Sequence, residues 1–201
     1  LDARRIPTLN VWCYQPGSDQ LFVGFDNCRA GADIARLVIE SGHRNLAIVS
    51  GICEGNDRAA DRLAGMKQAI GAEGINLSQV TVLQTKYSFE HAARAFDTII
   101  AQSPRPTAIL AGNDVLAVGL IERARSLGFS VPGDLSVTGF DDISVAQFVE
   151  PGLTTVRVPQ VQMGQRAAEE LLAEIRHPGS GKSVEMLTHI IRRGSLGPPP
   201  A

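Results

Sequence analysis

The sequence predicts an α/β fold, a doubly wound domain built on parallel sheet, and three observations carry that expectation. Nearly continuous apolar runs such as NLAIVSG (45–51) and PTAILAG (106–112) alternate with amphipathic segments of helix length. Strands that are apolar on both faces belong to parallel sheets covered by helices on both sides, joined by right-handed crossovers. Two of the runs also stop abruptly on polar pairs, Asn113-Asp114 and Asp141-Asp142, and ligands of open α/β sheets sit beyond the carboxyl ends of the strands.

Each element has its own warrant. TLNVW (8–12) and LFVGF (21–25) read as strands. AGADIARLVIESG (30–42) reads as a helix, with Ile34, Leu37 and Val38 on one face and Gly42 where a C-terminal cap belongs. After the strand at 45–51, DRAADRLAGMKQAIGAEG (57–74) forms a helix with Ala59, Leu63, Met66 and Ile70 on one stripe. The cycle repeats with strand VTVLQT (80–85), helix SFEHAARAFDTIIAQ (88–102), strand 106–112, helix NDVLAVGLIERARSLG (113–128), strand LSVTGF (135–140) and a helical turn near 143–148. After EPGLTTVRVP (150–159) the rhythm breaks. A helix (160–176), the turn HPGSGKS and one last strand, VEMLTHIIRR (184–193), follow, and the tail GSLGPPPA is expected to fray.

Composition narrows the function. The 201 residues are 44% hydrophobic with a net charge of −2, so a substantial core is available and the basic surplus of a stand-alone nucleic-acid binder is missing. No apolar stretch reaches the 18 residues of a membrane span, and LDARRIPTLN has no signal-like apolar core. Cys13, Cys28 and Cys53 lack C-x-x-C spacing and read as free, mostly buried thiols. The scattered His43, His91, His177 and His189 do not make a metal set. There is no G-x-S-x-G elbow, P-loop or G-x-G-x-x-G fingerprint, so neither catalysis nor a cofactor is expected.

The strand ends supply the candidate site. Asn113 and Asp141 are expected to contact ligand, and Asp114 and Asp142 to cap helices, since a cap needs only one residue. Arg58 and Arg62 stand one helical turn apart, either as a donor fork for hydroxyls, a carboxylate or a phosphate, or as a solvated face paired to Asp57 or Asp61. Tyr87, after a further strand end, is an aromatic wall or ordinary packing. An acid, an amide, guanidinium donors and an aromatic plate together describe a pocket for a polyhydroxylated ligand.

In succession, GHRNLAIVSG, DRLAGMKQAI, RPTAILAGNDVLAVGLI, LGFSVPGDLSVTGFDD and LTTVRVPQVQMGQRAAEELL resemble the lactose/galactose-repressor (LacI/GalR) family of bacterial transcription regulators over nearly the whole chain. The resemblance implies a periplasmic-binding-protein-like core of two α/β lobes with a small effector in the cleft between them. It assigns residues 1–43 and 158–178 to the amino-terminal lobe, 44–157 and 179–195 to the carboxy-terminal lobe and 196–201 to a tail. Effector contacts carry over to Arg62 of DRLAG, Asn113 of GND and the first Asp of GFDD, Asp141. Asn56, Arg58, Tyr87 and Trp12 match further contact positions. Helix 113–127 would contribute to a homodimer, with Val115, Val118 and Leu120 buried there or in the core. Complete members begin with a helix-turn-helix headpiece, whereas the match starts near RRIPTLNVW. The amino-terminal lobe is therefore expected to be incomplete, and operator DNA to be bound only through the absent headpiece.

The resulting expectation is the effector-sensing domain of a cytoplasmic regulator, not an enzyme and without a membrane partner. The alternative is a periplasmic sugar-binding protein of a transport system. Two arginines near one aspartate suit a sugar acid or sugar phosphate, and purines are effectors elsewhere in the family.

Overall fold

The computed structural model describes residues 6–200; expectations that touch residues 1–5 and Ala201 lie outside the described residues. The chain divides into two compact units. One comprises the residues up to Asn27 together with Val158–Thr188, and the other Cys28–Arg157 with the segment from His189 onward. Among the described residues no helix is long and apolar enough to cross a membrane.

The smaller unit holds β1 (Leu9–Val11) and β2 (Leu21–Gly24), and the larger opens with α1 (Asn27–Glu40), β3 (Leu46–Gly51), α2 (Asp57–Ala72), β4 (Thr81–Thr85) and α3 (Phe89–Ile100). It continues through β5 (Ala108–Ala111), α4 (Asp114–Ser126), β6 (Ser136–Thr138), the single turn α5 (Val145–Phe148) and β7 (Thr155–Arg157). The chain then returns to the smaller unit for α6 (Gln160–Arg176) and β8 (Val184–Glu185), and ends in the larger with β9 (His189–Ile191). In the smaller unit β1, β2 and β8 form a parallel sheet in that order, with α6 packed on β1 and β2.

The larger unit is the doubly wound domain. Its parallel sheet runs β4-β3-β5-β6. Alternate residues Ala47, Val49, Ile109, Ala111 and Val137 pack with Phe96 and Ile99 of α3 and Leu116, Leu120 and Ile121 of α4. By strand periodicity Leu46, Ile48 and Leu110 face the opposite layer, where Met66 and Ile70 of α2 are buried. On that side α1 and α2 touch backbone to backbone: a Cβ on Gly31 would collide with the carbonyl oxygen of Arg62, and one on Gly65 with that of Cys28. This contact explains why α1 groups with the larger unit, not with the amino-terminal lobe expected for residues 1–43.

Two further expectations are corrected. The single last strand is two: β8 pairs with β2 in the smaller unit, while β9 pairs antiparallel with β7 in the larger. Residues 179–188 therefore belong with the smaller unit, because an apolar run carries no mark of which sheet will take it. Nor does the tail fray where it is described. Ser195 is fully buried, its Oγ donates to the Val137 carbonyl and accepts from the Thr154 amide, and its carbonyl accepts from the Val137 amide. His43, also fully buried, reaches the Gly197 carbonyl through Nε2 at 2.9 Å, and burial lowers its pKa. A polar, proline-rich tail reads as loose until its backbone is seen adding to the β6 edge.

Candidate ligand-binding site

Chain order places the site. From β3 the chain moves outward to β4 on one side and then, through β5, to β6 on the other, so β3 and β5 flank the point where the winding reverses. Crevices at such points, beyond the carboxyl ends of the strands, receive ligands. The ends of β3, β4, β5 and β6 deliver Gly51–Asn56, Tyr87, Gly112–Asn113 and Gly139–Asp142.

Arg62 lies at the centre. It is 7% exposed on α2, its guanidinium donates to the Gly112 carbonyl at the end of β5, and its Cζ sits 3.6 Å from the centroid of the Phe140 ring. A desolvated cation over an aromatic face gains about 2 kcal/mol. Asp141 Oδ1 stands 4.0 Å from Arg62 Nη1. Burial lowers the Arg62 pKa, opposed by Asp141 and Tyr87 and reinforced by the like charge of Arg58. Burial likewise raises Asp141 to about 6, held back by Arg62 and Arg58. Arg58, Arg62, Tyr87 and Asp141 thus share one electrostatic neighbourhood. Tyr87 enters it across Gly51, where a Cβ would collide with the phenol oxygen.

The other expected residues fare differently. Asn56 and Asn113 are helix caps: Asn56 Oδ1 accepts from the Ala59 amide at 3.2 Å, and Asn113 Oδ1 from the Leu116 amide at 2.9 Å. Asn113 Nδ2 makes no hydrogen bond among the described residues, so the cap leaves a donor at the strand end. Trp12, at the end of β1, belongs to the smaller unit and has φ 71°, with its carbonyl accepting from Asn27 Nδ2. Arg58 keeps only a loose 3.7 Å contact with Asp57. The three cysteines form no disulfide among the described residues and are half-buried, less enclosed than expected.

Neither Asp114 nor Asp142 caps a helix, contrary to expectation. Asp114 is fully buried; Oδ1 accepts from Thr155 Oγ1 at 2.6 Å and Oδ2 from the Ile143 amide at 2.8 Å, while its own amide donates to the Phe140 carbonyl. Gly139 leaves room for this carboxylate, since a Cβ there would collide with Oδ1. Asp142 is held by Arg157 Nε at 2.6 Å and Arg193 Nη2 at 2.7 Å. The cap falls to Asn113 because it is the last extended residue before α4, one position earlier than the sequence suggested. Asp141 and Asp142 have φ of 114° and 55°, conformations costing about 1–3 kcal/mol each for side chains held there by their surroundings. Phe140 and the Gly112 carbonyl were not foreseen. An aromatic next to an apolar strand reads as core, and a carbonyl has no sequence signal.

The strand ends thus bring together guanidinium donors, one carboxylate, an amide donor and an aromatic edge, groups suited to holding a polar ligand. Among the described residues no group of three His, Cys, Asp or Glu side chains could hold a metal ion.

The buried acids set a pH dependence. Desolvation raises Asp114 from its ordinary 3.8 to about 7, against its two hydrogen bonds, with Asp141 and Asp142 adding to the rise. Both Asp114 and Asp141 hold protons more tightly folded than unfolded, so their contribution to stability is fully present below about pH 4 and is lost as pH rises through about 6 and 7. The part of the melting temperature that these two acids supply therefore falls between about pH 4 and 7, against the rise that buried His43, with its lowered pKa, contributes as pH climbs toward 6.5. Asp114→Asn flattens the upper part of that fall, because Thr155 can turn its hydroxyl to accept from the amide. A wild-type melting temperature that does not fall relative to that of Asp114→Asn over this range contradicts the assignment.

Comparison with known proteins agrees with the fold. The profile of the periplasmic binding protein-like domain family matches residues 35–196. The HTH-type transcriptional repressor PurR of Vibrio campbellii is 34% identical over 188 residues, 92% of this chain and 56% of that protein. The chain thus spans little more than half the length of that relative. The crystal structure of a LacI family transcriptional regulator from Bifidobacterium animalis superposes with TM-score 0.89 at 26% identity, covering 98% of this chain and 72% of that one. One from Enterococcus faecium, with bound ribose, gives TM-score 0.83 at 26% identity over 92% and 68%. The chain belongs to the periplasmic binding protein-like domain family, as a member of its LacI group.

Proposed function

We propose that this chain is the effector-sensing part of a bacterial transcription regulator, and that the strand ends around Arg62 and Asp141 bind a small polar effector. The observation that carries the reading is the convergence of Arg62, Gly112, Phe140 and Asp141 on one crevice of a parallel sheet, where no catalytic constellation accompanies them. Relatives that are repressors by name support regulation over transport or catalysis. DNA would be engaged by a headpiece of the kind such relatives carry, in the cytoplasm.

The effector class follows from the donors. Two guanidinium groups facing one carboxylate favour a ligand with an anionic group and vicinal hydroxyls, a sugar acid, over a neutral sugar. Ribose in the Enterococcus faecium relative agrees with a hydroxyl-rich ligand. Calorimetric titration with D-gluconate, D-ribose and hypoxanthine tests this, with Arg62→Ala and Asp141→Ala alongside. Saturable binding of D-gluconate, weakened about ten-fold or more in both variants, is expected. Binding that survives both substitutions contradicts the site, and hypoxanthine as the sole binder contradicts the class.

A homodimer through α4 completes the proposal. Between α3 and α4 runs a groove of about 520 Å³, lined by Phe89, Ala93, Val118 and Gly119 with Glu122 and Arg123 at its rim. Phe89 is 55% exposed there. Leu120 of α4 is spent in the core, whereas Val118 packs in the core and also lines the groove, so the groove offers the contact. Sedimentation velocity should show a dimer that Phe89→Glu converts to monomer; a monomeric wild type contradicts the interface.

A further inference from the structure

Asp142 is not explained by the site itself. Its carboxylate is 2% exposed and faces away into a pair of arginines, Arg157 and Arg193. Arg157 is the last residue of the larger unit before the chain crosses to the smaller one, and its register partner in the β7–β9 pair, His189, is the first residue after the chain returns. Arg193 follows β9 closely and also donates to the Leu153 carbonyl just before β7. The ion pairs therefore tie both crossing strands to one acid.

The neighbouring backbone makes the same connection. Asp141, the ligand-facing acid, donates its amide to the Val156 carbonyl of β7 at 2.9 Å and bridges to Arg157. Asp141 and Asp142 are consecutive left-handed residues, so rotation of the one peptide between them moves both carboxylates. Thr155 in the same strand donates to Asp114, which also holds the Ile143 amide on the far side of the loop. The six-residue loop between β6 and α5 is thereby clamped to β7 at the Asp141 backbone and through the Asp142 and Asp114 carboxylates.

We propose that Asp142 is a positioning residue that couples ligand contact at Asp141 to the crossing strands β7 and β9, through its ion pairs with Arg157 and Arg193. The proposal rests on the ligand site described above. Coupling of this kind requires that ligand favour one arrangement of the Asp141–Asp142 peptide over another, and that the crossing strands feel the difference through the charged contact. The sequence pair Asp-Asp then has divided labour: the first acid faces ligand and the second reports on it.

The test is amide hydrogen exchange of the full chain, alone and with saturating D-gluconate, D-ribose or hypoxanthine, in wild type, Asp142→Asn, Arg157→Gln, Arg157→Lys and Arg62→Ala. Asparagine tolerates the left-handed conformation, so Asp142→Asn removes the charge and keeps the turn. Without ligand, the Asp141 amide exchanges about ten-fold faster in Asp142→Asn than in wild type; an unchanged rate overturns the coupling. With ligand, exchange in β7 and β9 slows about five-fold in wild type and Arg157→Lys, and less than two-fold in Asp142→Asn and Arg157→Gln. Equal slowing in these four overturns the coupling and leaves the site standing. Slowing that persists in Arg62→Ala places the ligand elsewhere and overturns both.

Discussion

Burying the guanidinium of Arg62 is the constraint on which the rest of the larger unit depends. A desolvated cation costs several kcal/mol unless hydrogen bonds, a counter-charge or an aromatic face replace water. Here the Gly112 carbonyl, the Asp141 carboxylate and the Phe140 ring do so from the ends of two different strands. That arrangement requires α2 to approach α1 closely, which Gly31 and Gly65 allow. It also holds the ends of β5 and β6 in register with the start of α2, so the groups proposed to bind ligand are ordered by the same contacts that stabilise the domain.

The acids behind Arg62 form a second layer with a different task. Asp114 fixes the loop after β6 to β7 through neutral donors, and Asp142 fixes it through arginines. The first is pushed toward neutrality by burial, whereas the second is matched by two positive charges. The loop is thus held both by a carboxyl of α4 that can keep its proton near physiological pH and by one of its own locked in ion pairs. Left-handed backbone at Asp141 and Asp142 persists because these contacts over-determine it.

Much of this was legible before any coordinates. Apolar runs at 45–51 and 106–112 announced buried parallel strands because both faces of such strands must be covered. Asn113 and Asp141 stood out because polar groups at the end of a buried strand need a purpose, and Arg62 because it stands one helical turn from Arg58 in the helix that follows such a strand. The division of roles within each pair was not legible. Whether Asn113 or Asp114 caps α4 depends on which residue is the last in extended conformation, a matter of one position. Asp142 pairs with Arg157 and Arg193, far along the chain, and sequence spacing holds no trace of that meeting. The split of 184–193 into β8 and β9 was hidden for the same reason, since strand partners are tertiary facts. Asn56 and Arg58 read as equals in sequence, yet Asn56 is occupied as a cap while Arg58 contributes its charge to the site.

The central claim is that the buried guanidinium of Arg62 is where ligand and fold meet. Arginine side-chain nitrogen NMR of the full chain, during titration with D-gluconate, measures this most directly. Arg62 resonances are assigned by their loss in Arg62→Lys, with Arg123, paired to Asp97, as an internal reference. The account predicts saturable shifts at Arg62 with Arg123 unmoved. Saturable binding seen elsewhere in the spectrum while Arg62 stays still would contradict it.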